Sequence, residues 1–564
     1  MRTYPHHLTA DLPELPVPRL DESLERYRTA SAALYGPEGE ADVNQAIADF
    51  MMGYAPALQQ TLEDYAATMA ESGSNWMAEQ WMEHYLTNRE PLQLTTNATY
   101  QLNLTTVATG VDRIVELLQR IGSIHILQAK RATPAEFDLH GRRLSMDGWA
   151  AFNGGIRTPA IDEDLWMRAG TGPTYRTIGM LYQGRMWEVP LTGSEGKLLD
   201  PDQLRSFVHT VLQQTESAHQ DFAAFSSIGS ELLSLTAGWD AEENRSMYSR
   251  LVNMLFTVTL DPETTDDVDT LARWAFQPGN AWVYKPLSYL VALDSDLVAV
   301  HVEHSVIEAG TLATAVERMQ TVDLDALDAQ YDPYVAKPHE LVWHGVEYDL
   351  SPSEAAAHAL HAQRVIVRRN EHLPFPISFE SGAQLILMIA QMLTYGYIRG
   401  QSEVFDMRHF RAGRTEVIRP VTIQAVNFVT ALVQGQATEE HFAAALTAHR
   451  DWVSAANMGK VFDRHLMMLE YIAQELGGAQ ADLFTKNTKA RENFLSTSTL
   501  GSAEVVVRSL FAPACVDGFG VSYTPVLEGI EFMVTWGDEA GQAEIFLSKL
   551  EPAAELLYNF TAAI

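Results

Sequence analysis

The alternation of apolar and polar positions predicts a chain of mixed strands and helices. Residues 175–191 alternate with a period of two and contain Gln183-Gly184, a dipeptide suited to a hairpin turn. Residues 289–304 hold two β-rich runs around Asp294-Ser-Asp296 and predict a second hairpin. Further strands are predicted at 503–511, 519–523 and 529–535, followed by a closing helix at 541–564.

Apolar positions three and four residues apart predict helices over residues 42–120, and again at 352–372 and 380–398. A proline-punctuated segment, Leu12 to Pro18, precedes them. Because helices and strands mix in both halves, we expect an α/β fold with two layered domains. Prolines between positions 332 and 376 suggest an approximate boundary, giving domains 1–350 and 351–564.

Length and charge narrow the class of protein. The 564 residues are too many for one hydrophobic core. The formal net charge is -34, so we expect no nucleic-acid partner, because such a surface repels polyanions. The most apolar window, residues 383–393, is too short to cross a bilayer, and the amino-terminal residues lack an apolar signal region. We expect a cytoplasmic monomer without a membrane span.

Motifs for metals and nucleotides are missing from the sequence. The single cysteine, Cys515, excludes a disulfide within the chain and favours a reducing compartment, with a packing role for the thiol. There is no His-Glu-x-x-His motif, calcium loop or phosphate loop, and no Gly-x-Ser-x-Gly elbow. We therefore expect no metal.

A histidine near the middle of the chain is the first candidate for chemistry. His304 follows an apolar run that begins at Leu297, and Glu308 lies four residues further on. Imidazole is the side chain best suited to take a proton from an alcohol near neutral pH. The pattern His-x-x-x-Glu is common by chance, so a structural histidine is the alternative. His301 lacks this context and is expected to be structural.

Hydroxyls and two cations complete the candidates. The hydroxyls of Ser496-Thr497-Ser498 can donate to an oxyanion or a carboxylate, although they also suit an ordinary loop. Arg464 and Arg414 stand in apolar or acidic surroundings, and a guanidinium can bind a carboxylate with two hydrogen bonds. The alternative for these arginines is a salt bridge to Asp463 or Glu416.

Taken in order, these segments resemble the carnitine/choline O-acyltransferase family over nearly the whole chain. The matching motifs are Leu12 to Pro18; Asn75, Trp76, Trp81, Tyr85, Leu86 and Arg89; Phe152, Arg157, Pro159 and Asp162; Asn280, Trp282 and Lys285; Glu303-His304-Ser305; Gly413-Arg414-Thr415 with Ile418-Arg419; Asp463 to Leu466; Ser496-Thr497-Ser498; and Asp517 to Tyr523. The resemblance implies a coenzyme A-dependent acyltransferase fold, like that of chloramphenicol acetyltransferase, with an active-site channel between two domains.

The resemblance also implies a reaction. His304 would act as general base for direct attack of a hydroxyl on acyl-coenzyme A, and Ser498 would stabilise the oxyanion. In carnitine-using relatives, residues matching Arg464, Thr415 and Ser496 hold the carboxylate of the acceptor. Ser402 stands where those relatives carry a tyrosine, so the resemblance implies an acceptor that is carnitine or a similar hydroxylated zwitterion.

This sequence departs from the family pattern at two further places. The motif after the histidine is Glu308-Ala309-Gly310, with an extra residue before the glycine, and there is no lysine between residues 338 and 459. We expect Arg364, Arg368 and Arg369, together with Glu380, to contact coenzyme A instead. The alternatives are an acyltransferase for choline or another alcohol, and a catalytically impaired ligand-binding member of the same fold. The sequence leaves the acyl chain length open.

Overall fold

The computed structural model describes residues 12–170, 175–214, 216–368, 377–476, 482–486 and 488–564. The helices are α1 (Leu20–Met52), α2 (Ala55–Glu71), α3 (Ala78–Leu86), α4 (Gly110–Ala129), α5 (Pro201–Leu212), α6 (Ser230–Thr236), α7 (Glu242–Asn253), α8 (Asp267–Phe276), α9 (Ala309–Gln320), α10 (Ser351–His358), α11 (Phe379–Tyr395), α12 (Ile423–Val433), α13 (Glu439–Asn457), α14 (Asp463–Glu475), α15 (Asp482–Thr485) and α16 (Ala543–Ala563).

The strands are β1 (Ala98–Leu102), β2 (Ile156–Thr158), β3 (Leu165–Met167), β4 (Thr177–Tyr182), β5 (Arg185–Pro190), β6 (Leu198–Leu199), β7 (Thr257–Asp261), β8 (Leu287–Ala292), β9 (Val298–Val302), β10 (Ala329–Gln330), β11 (His339–Leu341), β12 (Leu360–Arg368), β13 (Gln401–Asp406), β14 (Thr415–Ile418), β15 (Leu495–Ser498), β16 (Val506–Phe511), β17 (Phe519–Val526) and β18 (Gly529–Gly537). The α/β class predicted from the sequence is confirmed.

The first large sheet has the strand order β11-β5-β4-β7-β8-β9-β1-β16. Its strands β8 and β9 are buried on both faces, as expected for a sheet covered on both sides. Helices α4 and α9 pack on the face that carries Val300, while α8 packs on the face that carries Leu290. The sheet therefore holds β9, and the histidine that follows it, rigidly between two helical layers.

The second large sheet has the order β12-β18-β17-β15-β13-β14. Strand β15 lies between β17 and β13 and runs parallel to both. Helices α11, α12 and α16 cover one face with a core that includes Ile386, Phe428 and Leu550. The opposite face of β15 is thus turned away from these helices.

The two halves of the chain exchange elements. Strand β16 belongs to the carboxyl-terminal half but pairs with β1 at the edge of the first sheet. Helices α1 to α3 come from the amino-terminal half but share a hydrophobic core with α14 through Tyr27, Trp81 and Leu466. The domain boundary at residue 350 stays a prediction. A boundary there separates β16 from the sheet that it joins, and α1 to α3 from the core that they share with α14.

Most of the predicted elements are present, with two exceptions. Both predicted hairpins form, as β4–β5 and β8–β9, with Gln183 and Gly184 at positive φ in the first turn. The helical prediction for residues 352–372 is wrong for residues 360–368, because β12 pairs with β18 along its full length. Residues 369–372 lie outside the described residues. The helical prediction for 42–120 misses β1, which is inserted between β9 and β16.

Within the part of the chain that the structure describes, no helix is both long and apolar enough to cross a lipid bilayer. Within the same residues, no group of three or more His, Cys, Asp or Glu side chains is arranged to hold a metal ion.

Candidate active site

His304 lies in the turn between β9 and α9, at the edge of the first sheet. Its Nδ1 is 2.7 Å from the carbonyl oxygen of Ile307, which can only accept a hydrogen bond. Nδ1 therefore carries the ring proton, and Nε2 carries the lone pair. The side chain is 24% exposed. A basic nitrogen is thus accessible to a ligand from a ring that the backbone holds in place.

A buried network of ion pairs holds the turn between β9 and α9 in place. Arg157 donates to Asp164 at 2.6 Å and lies 3.4 Å from Glu303, and all three side chains are fully buried. Ser305 donates through Oγ to the second oxygen of Glu303 at 2.6 Å. Residues on both sides of His304 are thereby fixed. Removing one partner of such a buried pair leaves a charge uncompensated.

Arg414 holds the same turn from the other half of the chain. Its guanidinium donates to the carbonyl oxygens of Ser305 and His304 at 2.6 and 2.9 Å and pairs with Glu308. Burial raises the pKa of Glu308, but the charges of Arg414 and His304 outweigh it, so the pKa lies below its ordinary value. The ionised carboxylate lies 3.7 Å from Nε2 of His304 and can stabilise an imidazolium there.

Two aromatic rings connect His304 to a second cation. The ring of Tyr85 lies 5.7 Å from that of His304, and the ring of Trp81 lies 5.6 Å from Tyr85. The guanidiniums of Arg464 and Arg414 lie 4.5 and 5.2 Å from the Trp81 ring centroid. These contacts are within the range of cation–π attraction. The helical spacing of Trp81 and Tyr85 on α3 creates this bridge.

The Arg464 guanidinium has no ion pair with a carboxylate of the described residues, and its Nε is buried without a hydrogen-bond partner. Asp463 pairs with Arg419 at 2.8 Å instead. Glu416 accepts a bond from the backbone N–H of Arg464, not from its side chain. The salt-bridge alternative to Asp463 or Glu416 is therefore wrong for Arg464. For Arg414 the partner is Glu308.

Burial gives Glu416 an unusual charge state. Burial raises the pKa of this carboxyl to about 8, although the nearby charge of Arg464 opposes the shift. Glu416 is therefore largely neutral at pH 7. Glu416 follows Thr415, the residue predicted to contact an acceptor, on β14.

The three hydroxyls of β15 point in two directions. Thr497 donates to the carbonyl of Ser402 at 2.8 Å and accepts from Gln384 of α11 at 2.9 Å, so its side chain faces the covering helices. Ser496 and Ser498 lie on the opposite face, because side chains alternate along a strand. Ser496 is in register with Ser402 on β13.

The face that carries Ser498 is directed towards the first sheet. Ser522 of β17 is in register with Ser498 and shares its face. Its hydroxyl donates to the carbonyl of Ser509 at 2.6 Å, and Ser509 lies on β16 in the first sheet. Ser498 thus lies on the face of the second sheet that contacts β16, the edge strand of the first sheet.

A cavity of about 900 Å³ opens beside the end of β15. It reaches Thr499, the residue after Ser498. Its lining residues are His140, Arg142, Ser378, Glu380, Ser381, Glu403, Val404, Phe405, Asp406, His449, Arg450, Val453, Ser454, Asn457 and Thr499. The cations Arg142 and Arg450 are exposed at the rim, whereas Glu403 and His449 are buried on the inner wall.

The residues predicted to contact coenzyme A lie in different parts of the structure. Glu380 lines the cavity, at the first turn of α11. Arg364 and Arg368 are exposed on β12, an edge strand of the second sheet, and are not among the lining residues. Arg369 lies outside the described residues. Arg142 and Arg450 are cations at the cavity that the sequence did not single out, since exposed arginines carry no positional signal.

Two other side chains occupy the positions expected of structural residues. Both ring nitrogens of His301 have partners at 3.0 Å, Asn97 and Thr99, and burial lowers its pKa to about 4. The thiol of Cys515 donates to the carbonyl of Asn493 at 3.5 Å, and burial raises its pKa to about 11. Such a thiol is a poor nucleophile near neutral pH.

Comparison with known proteins defines the class. A family model described as choline/carnitine O-acyltransferase matches residues 15–552. The chain belongs to this family and is an O-acyltransferase. The family is one of acyl transfer between coenzyme A and alcohols of the carnitine kind, with acyl-coenzyme A as co-substrate.

Individual relatives are distant but similar along their length. The chain is 26% identical to carnitine O-acetyltransferase of Rattus norvegicus, covering 93% of this chain and 89% of the relative. It is 23% identical to mitochondrial carnitine O-palmitoyltransferase 2 of Bos taurus, covering 98% and 92%. Among solved structures, the condensation enzyme VibH matches with a TM-score of 0.38 at 11% identity, covering 86% of this chain and 95% of VibH. TRI101 of F. sporotrichioides, complexed with coenzyme A and T-2, matches with a TM-score of 0.35 at 9% identity, covering 83% and 96%.

Proposed function

We propose that this enzyme transfers an acyl group reversibly between acyl-coenzyme A and the hydroxyl of carnitine or a similar carboxylate-bearing zwitterion. The observation that carries the proposal is the guanidinium of Arg464, which forms no ion pair with a carboxylate of the described residues and is joined to His304 through Trp81 and Tyr85. An acceptor with its carboxylate at Arg464 and its hydroxyl at His304 would span this aromatic bridge. Thr415, Ser496 and Ser402 would complete the carboxylate site.

In the proposed reaction, Nε2 of His304 takes the proton of the acceptor hydroxyl. The hydroxyl oxygen then forms a bond to the thioester carbonyl carbon, and the C–S bond breaks. The proton passes from His304 to the departing thiolate. Glu308 stabilises the transient imidazolium, and Ser498 donates to the oxyanion. A positioned base contributes about 10²–10⁴-fold to the rate.

The donor would enter through the cavity beside β15. Its thioester would reach Ser498 past Thr499, while Glu380 would contact the arm of coenzyme A. Arg364, Arg368 and Arg369 stay the predicted partners of its phosphates, and Arg142 and Arg450 at the rim are further candidates. The proposal places the enzyme in the cytoplasm as a monomer, with no metal.

Thiol release tests the choice of acceptor. Purified enzyme is given acetyl-, octanoyl- or palmitoyl-coenzyme A with carnitine, with choline or without acceptor. We expect release that depends on carnitine and exceeds release with choline for every donor that reacts. Choline preferred over carnitine would contradict the role of Arg464. Binding of both ligands without turnover would favour the impaired, ligand-binding alternative.

A further inference from the structure

The inner wall of the cavity carries a hydrogen-bonded series that the proposed transfer does not use. The Oγ of Ser381 lies 3.0 Å from Nδ1 of His449, and Nε2 of His449 lies 3.0 Å from a carboxylate oxygen of Glu403. Each of the three residues is buried, with less than a tenth of its surface exposed, and each lines the cavity. A serine, a histidine and a carboxylate in series are the parts of an activated hydroxyl nucleophile.

The partners of His449 fix its tautomer. A carboxylate only accepts hydrogen bonds, so the proton of the ring lies on Nε2, facing Glu403. Nδ1 then carries the lone pair and accepts the hydroxyl proton of Ser381. The two ring nitrogens exchange the roles they have in chymotrypsin-like enzymes, while the order of donors and acceptors is the same. Glu403 is positioned to stabilise an imidazolium.

The position of Ser381 on α11 supplies donors for an oxyanion. Ser381 is the third residue of α11, and the Ser378 side chain caps its N–H. Ser378 also donates to Oγ of Ser381 at 2.8 Å. The first intrahelical bond runs from Gly382 to Ser378 at 3.0 Å, so the amides of Phe379 and Glu380 precede it. Such amides stabilise negative charge at the start of a helix.

Gln384, about one turn further along α11, is also a buried polar residue, but it does not line the cavity. Gln384 donates to Thr497 and to the hydroxyl of Tyr523 at 2.9 and 3.1 Å. None of these three residues lines the cavity. Gln384 joins α11 to the sheet, and the hydroxyl of Tyr523 also forms a hydrogen bond with Glu403 behind the cavity wall. Ser381, His449 and Glu403 have similar burial but face open volume that a ligand can fill.

We propose that Ser381, His449 and Glu403 form a second catalytic site, which hydrolyses small acyl esters and thioesters without an acceptor alcohol. His449 takes the proton of Ser381 as Oγ bonds to the acyl carbon. The bond to the leaving alkoxide or thiolate breaks, and His449 returns the proton to it. Water then attacks the acyl-serine, gives a proton to His449, and releases the carboxylic acid as Ser381 regains its proton.

The test uses the whole chain with the His304→Ala substitution, which inactivates the proposed transferase centre. Hydrolysis of p-nitrophenyl acetate and acetyl-coenzyme A is measured without acceptor, and the protein is analysed by peptide mass spectrometry during turnover. We expect hydrolysis above the uncatalysed rate and one acetyl group on Ser381. Adding Ser381→Ala should abolish both, and adding His449→Gln should lower the rate by about 10²–10⁴-fold.

The control is Ser548→Ala, which removes an exposed helical serine of α16 whose hydroxyl bonds only its own helix. It should leave hydrolysis unchanged. Near-ultraviolet circular dichroism and melting curves confirm that each variant is folded. Hydrolysis that survives Ser381→Ala overturns the proposal. So does hydrolysis that vanishes with His304→Ala alone, because the transferase centre would then be its source. Neither result depends on whether carnitine is the acceptor.

Discussion

Nδ1 of His304 lies 2.7 Å from the carbonyl oxygen of Ile307, three residues further along the chain. This contact assigns the proton to Nδ1 and leaves Nε2 basic. The ring therefore requires no carboxylate to fix its tautomer. The carboxylate of Glu308 instead lies 3.7 Å from the basic nitrogen, where it can stabilise an imidazolium formed during proton transfer.

The free guanidinium of Arg464 gives the first prediction. Arg464→Gln should raise KM for carnitine and lower kcat/KM by about 10–100-fold, because a charge-assisted hydrogen bond contributes about 1.5–3 kcal/mol. The KM for acyl-coenzyme A should not change. Steady-state kinetics with each substrate varied in turn measures both. Arg464→Lys is the matched variant and should recover part of the loss. Equal changes in KM for carnitine and for acyl-coenzyme A would contradict the assignment of Arg464 to the acceptor site.

The neutral carboxyl of Glu416 predicts an alkaline limit. The raised pKa keeps Glu416 protonated below pH 8, so Arg464 stays available to the acceptor. Above pH 8 the new carboxylate should compete, and KM for carnitine should rise. Glu416→Gln keeps the shape without the charge and should abolish this rise. A KM profile from pH 6 to 9.5 for both proteins is the measurement, and identical profiles would contradict the assignment.

Glu416 also predicts an effect on stability. In the unfolded chain this carboxyl ionises near pH 4.3, whereas in the folded chain it ionises near pH 8. Stability is therefore lost progressively as pH rises through this window. Glu416→Gln should be more stable than the parent protein by roughly 3 kcal/mol at pH 7 and unchanged at pH 4. Urea unfolding at several pH values tests this sign, and a less stable variant at pH 7 would refute it.

The pair Arg414–Glu308 predicts the opposite pH dependence. The pKa of Glu308 is lowered, so the stability it contributes is complete above its unfolded value and is lost as pH falls through the folded value. Glu308→Gln should cost about 3–5 kcal/mol at neutral pH, because Arg414 stays buried without its partner. The difference between the two proteins should shrink on acidification. Urea midpoints between pH 3 and 7 measure it, and a constant difference would contradict the ion pair.

The residues proposed for this site could be named from the sequence because they lie in short motifs. His304, the hydroxyls of β15 and Arg464 each stand within a few diagnostic neighbours. Their partners could not be predicted in this way. Glu308 and Arg414 are 106 residues apart, and no local pattern indicates that they pair. Likewise, a lone histidine on an amphipathic helix gives no sign that His449 contacts both Ser381 and Glu403.

Tertiary contacts explain where the helical predictions fail. Residues 354–363 contain five alanines and favour a helix locally. Residues 360–368 form β12 because each pairs with a residue of β18, from Leu360 with Gly537 to Arg368 with Gly529. The β-branched Val365-Ile366-Val367 was the local signal for this strand. Long-range pairing overrode the helical preference at the point where the chain enters the second sheet.

The oxyanion role of Ser498 predicts a selective loss of rate. Ser498→Ala should lower kcat by about 10²–10³-fold while both substrates bind as before, because the bond strengthens only as charge develops. Ser496→Ala, on the same face of β15, should instead raise KM for the acceptor. Single-turnover kinetics with calorimetric binding separates the two effects. Unchanged kcat in Ser498→Ala would contradict the assignment.

The most direct test of the central claim replaces the base. His304→Ala is compared with His301→Gln, which changes the neighbouring histidine whose two nitrogens are bonded within the core. Carnitine-dependent thiol release is measured per folded molecule, and acyl-coenzyme A binding is measured by calorimetry. We expect His304→Ala to lose about 10²–10⁴-fold in turnover with acyl-coenzyme A affinity retained, and His301→Gln to keep its turnover. Carnitine-dependent release that persists in His304→Ala would contradict the account.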